Sequence, residues 1–159
     1  IDHLKSYFHY SLQFLRKNSY YTDDYEDLLE NAYEKRFTEI IDIILEQTKK
    51  QMMRVNDFRE VYAIYTDLVN RSLEIGLRED HLHRLSDLYE LRNDSLKRSK
   101  LEEINSLLEK INDPIELREC WNSTKWYLYN NRQFIGKEFE TLIARNFDLA
   151  ASKLSSHQA

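Results

Sequence analysis

The chain has 159 residues, enough for one domain that buries on the order of 70% of its unfolded surface without disulfides or metals. Only two glycines and one proline occur, so the turn punctuation that β-sandwiches and α/β folds require is missing. An apolar content of 42% excludes a disordered chain even though 32% of residues are charged, and a net charge of −5 provides no general attraction to nucleic acid or anionic membranes. The expected fold is therefore all-α: six to seven antiparallel helices in a bundle or an irregular stack of helical hairpins. A single helical domain is expected over 1–151, with a frayed polar tail or linker over 152–159. The chain begins at Ile1 rather than Met, which reads as a piece of a longer protein.

Taken in order, Leu4, Phe8, Leu12 and Leu15 recur at helical spacing and predict a helix over Asp2 to Lys17, with basic residues suited to its C-terminus. Asn18 to Thr22 is a polar, tyrosine-bearing break, after which Asp23 and Glu26 form a capping box. From Leu29 through Tyr33, Phe37, Ile40, Ile44, Thr48 and Met52 to Val55, one long helix is predicted. Asp57 with Glu60 is a second capping box, opening a helix that Gly76 stops as a left-handed cap. Leu77 to Arg98 carries a thinner apolar stripe on a highly charged helix and is expected to be the most exposed element. Ser99 with Glu102 is a third capping box, predicting a short helix through Ile111. Asp113 as N-cap and Pro114 at the first helical position mark the strongest boundary. The last helix is expected to run from there towards Lys153, bent or broken near Asn130, Asn131 or Gly136.

Three short patterns bear on chemistry. Asp23, Asp24 and Asp27 form an Asp-Asp-x-x-Asp run that resembles the magnesium and diphosphate motif of helical terpenoid enzymes. That resemblance implies a second acidic cluster on a facing helix, and the sequence has no equivalent; acidic residues in a first turn also complement the helix dipole. Arg78 and His83, in an Arg-x-x-x-x-His spacing with Glu79 following the arginine, resemble the motif of a family of helical ribonucleases. The resemblance implies RNA cleavage across a dimer, and it is the alternative to a non-catalytic reading in which His81 and His83 are solvated. His3, Leu4 and Lys5 resemble the start of histidine phosphotransfer bundles, but Ser6 and Tyr7 replace the small glycine that follows there. With two glycines, no phosphate-cradling loop or nucleophile elbow can be built. No cofactor, metal or small-molecule substrate is indicated.

The aromatics are the stronger signal. Both tryptophans, Trp121 and Trp126, fall between Cys120 and Ala151 with Tyr127, Tyr129, Phe134, Phe139 and Phe147. On a continuous helix at about 100° per residue, Trp121, Leu128, Ile135, Phe139, Leu142, Ile143 and Leu149 share a core-facing arc, whereas Trp126, Tyr127 and Phe134 fall outside it. These three are the candidate partner-binding residues, since aromatic rings beside polar groups anchor protein interfaces. Lys125 and Arg132 lie on the arc itself, which predicts snorkelling stems or an ion pair with a glutamate of a neighbouring helix. Basic residues here alternate with Glu138, Glu140 and Asp148, so no basic stripe for nucleic acid survives. The lone Cys120 cannot close an internal disulfide; it is expected as a small buried hydrophobe in a reducing compartment, which places the chain inside the cell, in the cytoplasm. No apolar run reaches the length of a membrane span. The reading that results is a non-catalytic protein–protein interaction or scaffolding module, part of a larger complex or chain, with a protein partner or a second copy of itself bound through these aromatics.

Overall fold

The computed structural model describes residues 1–18 and 23–157. Among these residues it contains six α-helices and no strand, as the scarcity of glycine and proline requires. They are α1 (Asp2–Lys17), α2 (Asp23–Arg54), α3 (Phe58–Asn70), the single turn α4 (Ser72–Ile75), α5 (Glu79–Leu108) and α6 (Pro114–His157). Asp57 caps α3: its Oδ1 accepts the backbone N–H groups of Arg59 at 2.8 Å and Glu60 at 3.1 Å. Gly76 follows α4 at φ 85°, ψ 32°, the left-handed conformation expected of it. Ser19 to Thr22, with Tyr20 and Tyr21, and the Asp23 side chain of the first capping box lie outside the described residues.

One predicted boundary is absent. Ser99 and Glu102 lie within α5, which runs unbroken to Leu108. Leu96 and Ile104 are buried on either side of Ser99, and the pairs Asp94–Lys97 (3.4 Å) and Lys100–Glu103 (2.8 Å) tie successive turns together there. A capping box offers the backbone a local alternative; burial on both sides of it overrides the offer. The same stripe corrects the expectation that Leu77 to Arg98 is the most exposed segment, because His81, Leu85, Arg92, Asn93 and Leu96 are all buried. At the C-terminus, α6 continues through residues 152–156 to His157.

The chain divides into two compact units, Ile1–Arg54 with Ile64–Asp87, and Val55–Ala63 with the described part of Leu88–Ala159. In the first, α1 runs antiparallel to α2: Arg16 meets Glu26 at 2.7 Å, and farther back Phe8 meets Tyr33 with ring centroids 4.4 Å apart. Phe37, Ile41, Leu45, Thr48 and Met52, spaced three or four apart on α2, form the buried stripe. Thr48 is tolerated in it because its hydroxyl donates to the Ile44 carbonyl at 2.8 Å. The start of α5 lies along α2 in the same direction, as the contacts Arg78–Glu34 (2.7 Å), His81–Phe37 (6.1 Å between rings) and Arg84–Asp42 (2.8 Å) advance together.

In the second unit, α6 is a hairpin. A straight helix would hold Trp121 and Phe147 about 39 Å apart at 1.5 Å per residue; their ring centroids are 4.8 Å apart. The reversal takes place at Gly136, whose φ of 74° and ψ of 159° lie outside every helical region and are open essentially to glycine alone. Residues 114–135 and 137–157 are therefore two antiparallel halves. Leu117, Thr124, Leu128 and Ile135 are buried on the first, Phe139, Ile143 and Phe147 on the second. The rest of α5 runs antiparallel to the first half, with Lys100 over the Tyr127 ring at 4.4 Å and Asn93 beside Phe134.

The reversal leaves the last carbonyls of the first half without N–H groups ahead of them. Asn93 supplies one donor, its Nδ2 reaching the Phe134 carbonyl at 2.8 Å, while Arg59 donates to the Asn130 carbonyl at 3.1 Å and brings positive charge to the same end. Buried Arg92 holds the α2–α3 connection by donating to the Val55 carbonyl at 2.6 Å and to Asn56 Oδ1 at 2.9 Å. A Cβ at Gly136 would meet no atom within 4 Å, so substitution there tests conformation alone. Gly136→Ala is expected to lower unfolding free energy by about 1–3 kcal/mol in urea denaturation. Asn93→Ala is expected to cost about 1 kcal/mol, the low end of the range for a lost buried donor, because it also removes Oδ1, which is buried without a partner.

Candidate functional site

The two halves of α6 meet along one face and leave a furrow between them. Near the open end a hollow of about 350 Å³ is lined by Leu117, Trp121, Phe147, Ala151 and Leu154, with Arg118 and Asp148 at its edges. Nearer the Gly136 reversal a second hollow of about 400 Å³ is lined by Trp121, Leu128, Tyr129 and Ala144, with Lys125, Arg132, Lys137 and Glu140. Both share Trp121. Their lining positions recur every three or four residues on each half, so together they form one furrow about 27 Å long, the rise from Pro114 to Arg132. On the first half these positions cover roughly a 120° arc, centred roughly 150° from Tyr127 and Phe134, which face α5. One side of the hairpin is thus filled by α5 and the other is open.

Two interactions join residues that line the furrow. Arg132 Nε donates to Glu140 Oε1 at 3.1 Å, so its partner is a glutamate of α6 itself, across the Gly136 reversal, rather than one from another helix. The Lys125 ammonium lies 5.9 Å from the centre of the Trp121 ring, its stem lying along the apolar surface. Of the charged side chains that line the furrow, Arg118, Lys125, Arg132 and Lys137 are cationic, and only Glu140 and Asp148 are anionic.

The three candidate partner-binding residues have different surroundings. Trp126 is 66% exposed and stacks on Tyr129, itself 65% exposed, with centroids 6.0 Å apart and planes 19° apart; through Tyr129 this pair forms the rim of the furrow. Tyr127 is half-buried beneath Lys100. Phe134 is buried, stacked on Phe58 at 6.3 Å and packed on Tyr62 at 5.6 Å, which makes it a core residue rather than part of a surface. Phe134 was misassigned because the first half of α6 is covered on a second face, by Phe58, Tyr62 and α5, whereas projecting one unbroken helix through Gly136 misassigned Leu142 and Leu149, which are exposed. Of the rings that line the furrow, Trp121 was read as part of the core-facing arc and Tyr129 only as a member of an aromatic run. Cys120 is half-buried and free.

The remaining motifs stay separate from this face. Arg78 places one guanidinium nitrogen 2.7 and 2.9 Å from the two Glu34 carboxylate oxygens and lies 5.0 Å from the centre of the Phe37 ring; Glu34 holds it all the more firmly protonated. His83 is exposed, with Glu79 3.7 Å away. His81 corrects the expectation of a solvated side chain: it is buried, and its Nδ1 accepts the Arg78 backbone N–H at 3.0 Å, closing the first turn of α5. His3, Asp24 and Asp27 are exposed. Among the described residues no group of three or more His, Cys, Asp or Glu is gathered as for a metal ion, and no helix is long and apolar enough to cross a membrane.

Comparison with protein families, with curated proteins and with solved structures gives no match.

Burial pushes the Tyr127 hydroxyl up to about 12 from an ordinary 10, with the Glu103 and Asp57 carboxylates adding to the shift. Between those values the unfolded chain loses this proton and the native chain keeps it, so this group's contribution to stability falls as pH rises from 10 to 12. For a half-exposed ring the loss is on the order of 1 kcal/mol. The urea midpoint of wild type is expected to fall more than that of Tyr127→Phe across this interval. Equal slopes would show that Tyr127 titrates normally.

Proposed function

We propose that this chain is a protein-binding module without catalytic activity of its own, and that it docks its partner on the open face of the α6 hairpin. The observation that carries this reading is the stacked Trp126–Tyr129 pair, left largely exposed at the rim of a furrow with an aromatic floor. Burying one such ring is worth about 1.5–3 kcal/mol. Isolated apolar side chains are common on protein surfaces; adjoining aromatic rings beside a concave apolar surface are the pattern of an interface anchor. The partner is another protein or a second copy of this chain, and the free Cys120 supports a reducing, intracellular setting.

A photo-crosslinking amino acid at position 126, in the protein expressed in its own organism, is expected to trap a discrete protein adduct that the same group at exposed Arg36 does not. Against the trapped partner, purified, Trp126→Ala is expected to raise Kd about 30-fold, equivalent to about 2 kcal/mol. Its melting temperature is expected to stay within a degree or two of wild type, because an exposed ring contributes little to the fold. Loss of stability without loss of binding would refute the reading.

A further inference from the structure

Resting on the docking face proposed above, we infer that the furrow of α6 receives an amphipathic helix of another protein, with an apolar seam at one end and carboxylates at the other. Its shape argues for a helix. A trough between two antiparallel helices, carrying two adjoining hollows over about 27 Å, matches a helix of about 18 residues. Such a helix would complete a four-helix arrangement with α5 and the two halves of α6.

Charge argues for the rest. Near the open end, Arg118 and Asp148 balance, and Leu117, Phe147, Ala151 and Leu154 form the surface. Near the Gly136 reversal, Lys125, Arg132 and Lys137 face one carboxylate, Glu140, which Arg132 already engages. A net positive charge therefore sits at one end of an otherwise apolar furrow, and an anionic segment of the occupant belongs there. A nucleic acid fits this surface worse. Phosphates along its length would meet the apolar open end and Asp148, with no cation to spare.

The test is selection of 18-residue peptides from a displayed library with randomised positions, using the whole protein as bait and the fluorescence of Trp121 and Trp126 as the binding signal. The expected winners carry large apolar residues at i, i+3 or i+4 and i+7, have Asp or Glu gathered at one end, and become helical on binding. Lys125→Glu/Lys137→Glu changes only exposed side chains. It is expected to weaken the winners at least tenfold, to restore binding to versions with Lys in place of the acidic residues, and to leave the melting curve unchanged. Winners that bind in extended form, lack acidic residues or ignore the charge reversal would overturn the inference. So would a single-stranded RNA 12-mer that competes with them, or a dimer of the protein alone in which both tryptophans are shielded from a soluble quencher. Failure here alongside a protein adduct from position 126 would remove the acidic helix and leave the docking face standing; failure of both would remove both.

Discussion

The reversal of α6 at Gly136 is the constraint on which the second unit depends, and the hydrogen bond from Asn93 to the Phe134 carbonyl accommodates it. A helix that reverses within one residue loses the backbone partners of its final turn, and an orphaned buried carbonyl costs as much as a lost hydrogen bond. Asn93 belongs to α5, so satisfying that carbonyl also fixes where the hairpin lies along α5. The placement of Lys100 over Tyr127 and the 2.9 Å bond between Asn146 and Asn105 are consistent with that register. On the other side of the hairpin, the approach of Trp121 to Phe147 and of Arg132 to Glu140 follows from the same reversal. The furrow is thus a product of backbone conformation at Gly136 rather than of any side chain that lines it.

The first unit makes a useful contrast. Tyr7, Tyr10 and Phe14 are exposed at i, i+3 and i+7 of α1, one aromatic stripe on the face away from Phe8 and Tyr33. These three rings belong to a single helix, whereas the furrow of α6 has two walls and a one-ended charge distribution. A helix face alone defines only that something apolar is unpaired, whereas a two-walled trough also sets the diameter, length and polarity of what fits.

Most of the architecture is legible in the letters because it is set by local rules. The all-α class follows from two glycines and one proline. The span of α1 follows from its periodicity and terminal charges, and the starts of α3 and α6 from Asp57 and from Asp113 with Pro114. Trp126 was placed correctly because exposure depended only on phase within its own half of α6. Leu142 and Leu149 were misplaced because the helical phase was carried through Gly136, and Phe134 because a second face of the first half is covered by Phe58, Tyr62 and α5. Ser99 failed for the opposite reason: a true local signal lost to burial at Leu96 and Ile104. His81 was read as solvated because its stabilising contact is a backbone N–H three residues upstream, which no side-chain pattern records. The furrow was illegible altogether, since its walls come together only once a 44-residue helix has folded back on itself.

That fold-back has a consequence for how many chains make one folded particle. If residue 136 adopted helical angles, α6 would extend to about 66 Å. Phe139, Ile143 and Phe147 would then be carried out of reach of their own first half, and the nearest equivalent surface would be the first half of another chain. Two molecules would exchange their C-terminal helices reciprocally, each rebuilding the other's hairpin from identical contacts. Gly136 therefore keeps the contacts of the α6 hairpin within one chain, and with helical angles there the same contacts could form only between two chains.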